Sequence, residues 1–124
     1  MRLPFTQEAR LLRILAHPAW LAILEILRHR PACVCHLTAA LEHRQAYVSQ
    51  QLAILRKAGL IVNRRDGAYT YYALRDHGVL GLVDLARRIH GRRPVPALSA
   101  TGRLAGCACP QCSQEGRLVR GAGR

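Results

Sequence analysis

The dipeptide Asp66-Gly67 separates two runs rich in β-branched and tyrosine residues, 60–65 and 68–74. Aspartate and glycine both tolerate positive φ, as a two-residue type I′ turn requires, so the runs are expected to pair as an antiparallel hairpin. Most of the chain before it reads instead at helical period. Residues 6–16 set Leu11, Leu12, Ile14 and Leu15 among Glu8, Arg10 and Arg13, with Thr6 available as N-cap. Pro18 suits the first turn of a second helix, whose stripe of Leu21, Leu24, Ile26 and Leu27 ends by Arg30 because Pro31 cannot continue it. A short third helix is expected over 35–42, with Leu37 and Leu41 one turn apart. A fourth runs over 45–58, with Val48, Leu52 and Leu55 at i, i+4 and i+7 and Gly59 as its stop. Beyond the hairpin, Asp76 can cap a last helix carrying Val79, Leu80, Leu82, Val83, Leu85, Ala86 and Ile89.

That last helix is apolar over much of its circumference and needs more cover than one small domain offers. A homodimer interface shared with the first helix is therefore expected, in preference to a helix that only closes the protomer's core. Half of the residues are hydrophobic but only 5% are aromatic, which favours packed aliphatic helices. Lys and Arg number 19 against 7 Asp and Glu, a formal charge of +12 that points to a polyanionic partner, first of all nucleic acid. Seven acidic residues, with no nucleophile–base pair, phosphate loop or paired carboxylates, argue against an enzyme. No apolar run approaches the roughly 20 residues that span a bilayer, and Met1-Arg2-Leu3-Pro4 does not begin a signal peptide. A cytoplasmic protein without a membrane partner is expected. Residues 5–93 form the expected DNA-binding and dimerisation domain. Residues 94–124, with Pro94, Pro96 and an aperiodic run of Gly, Ala, Ser and Arg, form an expected flexible cysteine-containing tail.

Two helices, a short helix, a polar-faced helix and a hairpin follow the order of a winged helix-turn-helix domain, mainly α with a small β-hairpin. In such a fold the fourth helix reads DNA. Gln45, Ser49, Gln50 and Gln51 can bond to base edges, Arg44, Arg56 and Lys57 can neutralise phosphate, and Tyr47 can do either. Arg64 and Arg65 flank the turn where a wing meets the neighbouring groove or backbone.

Four segments carry a family resemblance: Ala16-His17-Pro18-Ala19-Trp20-Leu21-Ala22-Ile23-Leu24; Cys33-Val34-Cys35-His36-Leu37; Val48-Ser49-Gln50-Gln51-Leu52-Ala53-Ile54-Leu55-Arg56-Lys57-Ala58-Gly59-Leu60; and Arg65-Asp66-Gly67-Ala68-Tyr69-Thr70-Tyr71-Tyr72. Together, over roughly residues 8–92, they resemble the ArsR/SmtB family of metal-sensing repressors. The resemblance implies a homodimer on double-stranded operator DNA, in the promoter of its own metal-resistance genes, released when metal binds. Members often carry His where this chain has Gln51, so base preference is not carried over.

Cys33-Val34-Cys35-His36-Leu37 is similar to the Cys-Val-Cys-Asp-Leu signature that opens the third helix of the family's arsenite, cadmium and lead sensors. Residues two apart on a regular helix point different ways, so both sulfurs reach one ion only where the helix start is distorted. Unpaired N–H groups there favour thiolate, the form that binds metal. The alternative is that both cysteines are small buried hydrophobes. Thr38 fills the position of the third cysteine found in arsenite sensors, and Cys107, Cys109 and Cys112, in a Cys-x-Cys-x-x-Cys cluster, are the candidates to complete the site. Residues 92–106, at about 3.3 Å each when extended, are long enough to bring them there. Three thiolates suit arsenite, antimonite or lead, and four suit cadmium or zinc. The expected inducer is arsenite or antimonite, then cadmium or lead, with no organic cofactor. His36, which replaces an acidic residue, is read as an exposed helical histidine, with a borderline metal ligand as the alternative. The family's last-helix zinc site is absent by register, because Gly78, Ile89 and Arg92 follow Asp76 at the ligand positions. A rival keeps the fold and changes the signal: a thiol-based sensor of oxidant or reactive sulfur, in which Cys33 or Cys35 forms a disulfide with a tail cysteine. Cys109-Pro110-Gln111-Cys112 resembles redox dithiols enough to keep this open.

Overall fold

In the computed structural model, which describes residues 3–91, the helical periods become α1 (Thr6–Leu15), α2 (Pro18–Ile26), α3 (Val34–Leu41), α4 (Gln45–Lys57) and α5 (Val79–Ile89). Thr6 is the first residue of α1 and not its cap; its Oγ1 donates to the Leu3 carbonyl at 3.1 Å. Pro18 opens α2, where a missing N–H leaves no bond unmade. Ala58 caps α4, and Gly59 follows at φ +80°, the left-handed conformation glycine accepts most cheaply.

Between α3 and α4 only residues 42–44 intervene, and Glu42 makes the bend at φ 54°. The hairpin is present as β2 (Ile61–Asp66) and β3 (Tyr69–Leu74), with its turn one residue later than expected. Asp66 pairs with Tyr69, so Gly67 and Ala68 are the central residues. Only Gly67 has positive φ there, which is the type II′ pattern and not I′. A two-residue strand, β1 (Ala32–Cys33), pairs antiparallel with β3 and completes a sheet of order β1-β3-β2. Two residues are too few to carry a period, so β1 left no trace in the sequence pattern.

The core lies between α2, α3, α4 and the sheet. Ile23, Leu24, Leu27, Leu37, Val48, Leu52, Leu55 and Ile61 are buried there almost completely, each contributing about 1.5–3 kcal/mol by leaving water. Helix α5 joins the core through Val79 and Leu80 and is tied to α2 by an ion network as well. Arg28 donates to both oxygens of buried Glu25 at 2.8 and 3.0 Å and to both oxygens of Asp84 at 3.1 and 2.6 Å. Arg87 approaches Glu25 and Asp84 at 3.5 and 3.4 Å. The Arg28 guanidinium holds the Asp84 carboxyl below its ordinary range, chiefly through the hydrogen bond. Asp76 does not cap α5; its Oδ1 accepts from Gly78 N–H at 2.8 Å, closing the turn before the helix.

Between α1, α2 and α5 runs a groove of about 560 Å3 lined by Leu12, Leu15, Leu21, Leu82 and Val83 among others. Leu12, Leu82, Leu85 and Ile89 are exposed along α1 and α5. Among the described residues no helix is long and apolar enough to cross a membrane.

Candidate nucleic-acid interface and thiol pair

The buried stripe of α4 sets which of its side chains face outward. Val48, Leu52 and Leu55 point into the core, which leaves Gln45, Ser49, Gln50, Arg56 and Lys57 exposed, with Arg44 at the N-cap. Arg56 and Lys57 occupy the last turn, where the helix dipole favours positive charge. Tyr47 is half-buried, its ring tilted on that of His43 with centroids 4.8 Å apart. On the wing, Arg64 and Arg65 are exposed, and Arg65 Nε donates back to the Gly67 carbonyl at 3.3 Å.

Gln51 requires a correction. It is not on the exposed face with Ser49 and Gln50 but inside, 8% exposed, its Oε1 accepting from Trp20 Nε1 at 2.6 Å. The register carries the signal: residue 51 is i+3 from Val48 and i−4 from Leu55, on the apolar stripe itself. Its polarity suggested a solvent or base contact; its position on the helix decided otherwise.

Cys33 ends β1 and is the N-cap of α3, in extended conformation, and Cys35 lies in the first turn. The change of backbone conformation between them brings together two side chains that a continuous helix would part. Their sulfurs are 2.9 Å apart, longer than the about 2.05 Å of a disulfide bond. Cys33 Sγ also accepts from the His36 backbone N–H at 3.4 Å. Buried Cys33 packs with Cys35, Tyr69 and Tyr71 on one face of the sheet. On a tetrahedral ion with bonds of about 2.3 Å, as on zinc, two thiolates stand about 3.8 Å apart, so this pair can become two ligands of a single soft ion once the sulfurs open by about 1 Å. Among the described residues no group of three or more His, Cys, Asp or Glu is arranged to hold a metal. Cys107, Cys109 and Cys112 lie outside the described residues.

His36, expected to be exposed, is buried. Burial pushes its pKa down from the ordinary value, and the nearby Arg30 charge pushes the same way. Two connections run from the thiol pair toward the DNA-facing elements. Cys33 is in register with Tyr71 of β3, which is in register with Arg64 of β2. On the other side, α3, which Cys33 caps, packs against α4.

A basic-ended exposed helix presented by a three-residue turn, with an arginine-bearing hairpin beside it, defines a winged helix-turn-helix DNA-binding unit. Residues 17–62 match the family described as bacterial regulatory protein, arsR family. An uncharacterised HTH-type transcriptional regulator of Mycobacterium tuberculosis is 35% identical over 86 residues, 68% of this chain and 75% of that protein. A transcriptional repressor SmtB homolog of Synechocystis sp. is 40% identical over 76 residues, 61% of this chain and 58% of that protein. An arsenic resistance transcriptional regulator of Pseudomonas putida is 49% identical over 51 residues, 41% of this chain and 40% of that protein. Among solved structures, Rv0081 of M. tuberculosis superposes with a TM-score of 0.65 at 32% identity, covering 73% of this chain and 91% of that one. A homodimeric winged helix-turn-helix DNA-binding domain from Mycobacterium bovis gives 0.61 at 28%, covering 68% and 81%. The chain belongs to the ArsR family of bacterial regulatory proteins, and is a transcriptional regulator and not an enzyme.

Proposed function

We propose that the chain is a homodimeric repressor which, in its metal-free form, holds operator DNA through α4 and the wing, and which lets go when a soft ion binds Cys33 and Cys35 together with tail thiolates. Arsenite or antimonite is the first choice of ion, cadmium or lead the second. The observation that carries this reading is the pair of sulfurs 2.9 Å apart at the junction of β1 and α3. An ion held there draws on a residue that is at once a strand partner of the wing and the cap of the helix packed on α4. A shift at Cys33 is therefore felt by both DNA-facing elements. Coupling between two sites typically amounts to about 1–3 kcal/mol, or roughly 5- to 150-fold in affinity, and by linkage operator DNA weakens ion binding by the same factor. The relative from P. putida is described as an arsenic resistance regulator, which supports the same ion class. The M. bovis homodimer, with the apolar residues exposed on α1 and α5, supports the two-fold assembly.

The test is fluorescence anisotropy of the reduced protein on promoter DNA, titrated separately with arsenite, antimonite, cadmium, lead and zinc. A variant with Cys107, Cys109 and Cys112 all changed to serine is titrated alongside. Release of the wild type by one soft ion near one equivalent per protomer, with the variant still bound, is the expected result. An equal response from the variant removes the tail from the ligand set.

A second reading keeps the fold and changes the signal: Cys33 or Cys35 forms a disulfide with a tail cysteine, a reading supported by the likeness of Cys109-Pro110-Gln111-Cys112 to redox dithiols. Two thiols then give up two electrons and two protons to an oxidant such as a peroxide or a polysulfide. Release that is abolished by excess non-chelating reductant identifies this case, whereas ion-driven release survives it.

A further inference from the structure

The reading helix carries one polar residue on its buried stripe, and that residue reaches another helix. Val48, Leu52 and Leu55 are sealed from solvent, and Gln51 stands among them. An amide placed among aliphatic side chains costs free energy unless it is hydrogen-bonded. Gln51 Oε1 accepts from Trp20 Nε1 at 2.6 Å, at the short end for an N–H···O bond. Trp20 lies in the first turn of α2, and its indole is stacked on His17, with centroids 4.7 Å apart and planes 16° from parallel. The stack limits how the indole can turn, and so where its N–H points. Helix α4 packs chiefly against α3 and β2, whereas α2 packs against α1, α3 and α5. The Trp20–Gln51 bond therefore adds a directional tie between the reading helix and α2, beside the aliphatic core that the two share.

A bond of this kind constrains rotation about the helix axis. Neighbouring residues on a helix are about 100° apart, so a small rotation of α4 swings Gln45, Ser49 and Gln50 across the edges of the bases they face. The close-packed leucines seat the helix on the core; the bond to a stacked indole adds an angular constraint that non-directional apolar contacts lack. We propose that Gln51 is a positioning residue: bonded to Trp20, it sets the rotation of α4 and thereby the sequence preference of the protein, without touching DNA. The proposal rests on the DNA-reading role of α4.

Selection from a random duplex library with the wild-type protein supplies the preferred duplex, and anisotropy compares it with a scrambled duplex. Trp20→Phe removes the donor and keeps an aromatic ring. Gln51→Met removes the acceptor and keeps an unbranched chain of similar size. Each is expected to lose roughly ten-fold on the preferred duplex, because α4 is freed to rotate; the orphaned buried group, present in free and bound protein alike, lowers the melting temperature instead. On the scrambled duplex each is expected to bind as wild type does, with an unchanged salt slope, because the phosphate contacts are intact. The double variant should lose no more than the worse single one. Gln51→Glu keeps an acceptor for the indole; its charge weakens binding to both duplexes but leaves their ratio near that of wild type.

Equal losses on both duplexes, or no loss on either, overturn the proposal. So does a Gln51→Met variant that reselects a sequence changed at a single base pair while Trp20→Phe is silent, because Gln51 then reads that base. A wild-type protein that enriches no sequence overturns the DNA-reading role of α4 and this proposal with it. Failure of the positioning role alone leaves wild-type enrichment intact, which separates the two.

Discussion

At Cys33 a single sulfur accepts the His36 N–H at the start of α3 and stands 2.9 Å from the sulfur of Cys35. These two roles respond differently to substitution. Serine is among the preferred N-caps and its oxygen accepts the same N–H, whereas alanine offers no acceptor and costs about 1 kcal/mol at such a position. Cys33→Ser is therefore expected to melt close to wild type and bind operator DNA normally while losing its response to the inducing ion. Cys33→Ala should lose the response and also melt lower. Thermal melts beside the anisotropy titration check both, and a Cys33→Ser protein that still responds removes Cys33 from the ligand set. The thiol pair was legible as a motif because the segment around it is distinctive. The burial of His36 was not, since its position one turn from Cys33 does not reveal which side of α3 the sheet covers.

Helices and turns carry their own strains and ties. Glu42 bends the chain between α3 and α4 at φ 54° without being glycine, and a left-handed residue of that kind carries roughly 1–2 kcal/mol of strain. Glu42→Gly is expected to gain about 0.5–1 kcal/mol net of the added chain entropy of glycine in the unfolded state, read by urea denaturation. No gain would mean that the bend is not strained. The clasp of α5 on α2 includes an ion network beside buried Val79 and Leu80, and the pH dependence of that network follows from Asp84. The folded-state pKa of Asp84 is depressed, first by its hydrogen bond from Arg28. Its stabilisation is therefore present above the ordinary carboxylate value of about 3.9 and is lost as pH falls through the lower folded value. Asp84→Asn should melt lower than wild type at pH 7, and the two curves should converge in acid. Melts that differ equally at both ends of the range would show that the charge is not what holds the helix. The helices were visible as periods in the sequence because each has an apolar stripe of its own. The ion network was not, because Glu25 and Asp84 are far apart in sequence and only the packing of α5 on α2 unites them.

For the molecule as a whole, the unresolved tension is between a high positive charge and an uncovered apolar face. The charge of +12 opposes self-association of small chains, yet Leu85 is 48% and Ile89 76% exposed on α5, with Leu12 55% exposed on α1. Apolar residues gathered on two neighbouring helices mark an interaction surface, and a second copy supplies a matching one. Leu85→Glu with Ile89→Glu is expected to yield a monomer by sedimentation velocity, with operator affinity reduced because a single reading helix remains per particle. A variant that sediments as a dimer places the interface elsewhere.

The sequence by itself determined the order and type of every element but β1, the hairpin to within one residue, the basic charge, the thiol motif and the family. All of these are written in local composition or in a period along one element. Only the tertiary structure decided which flank of a stripe is buried and which distant residues meet. Gln51 falls on the apolar stripe of α4 by period although it is polar, and Trp20, brought from α2, supplied the partner that allows it to be buried there. Ala32 and Cys33 became a strand only because β3 lay alongside them, and that pairing sets the backbone that brings Cys33 and Cys35 together. A period describes one element against an unspecified interior, whereas a hydrogen bond or a sulfur–sulfur approach depends on the particular neighbour that the fold supplies.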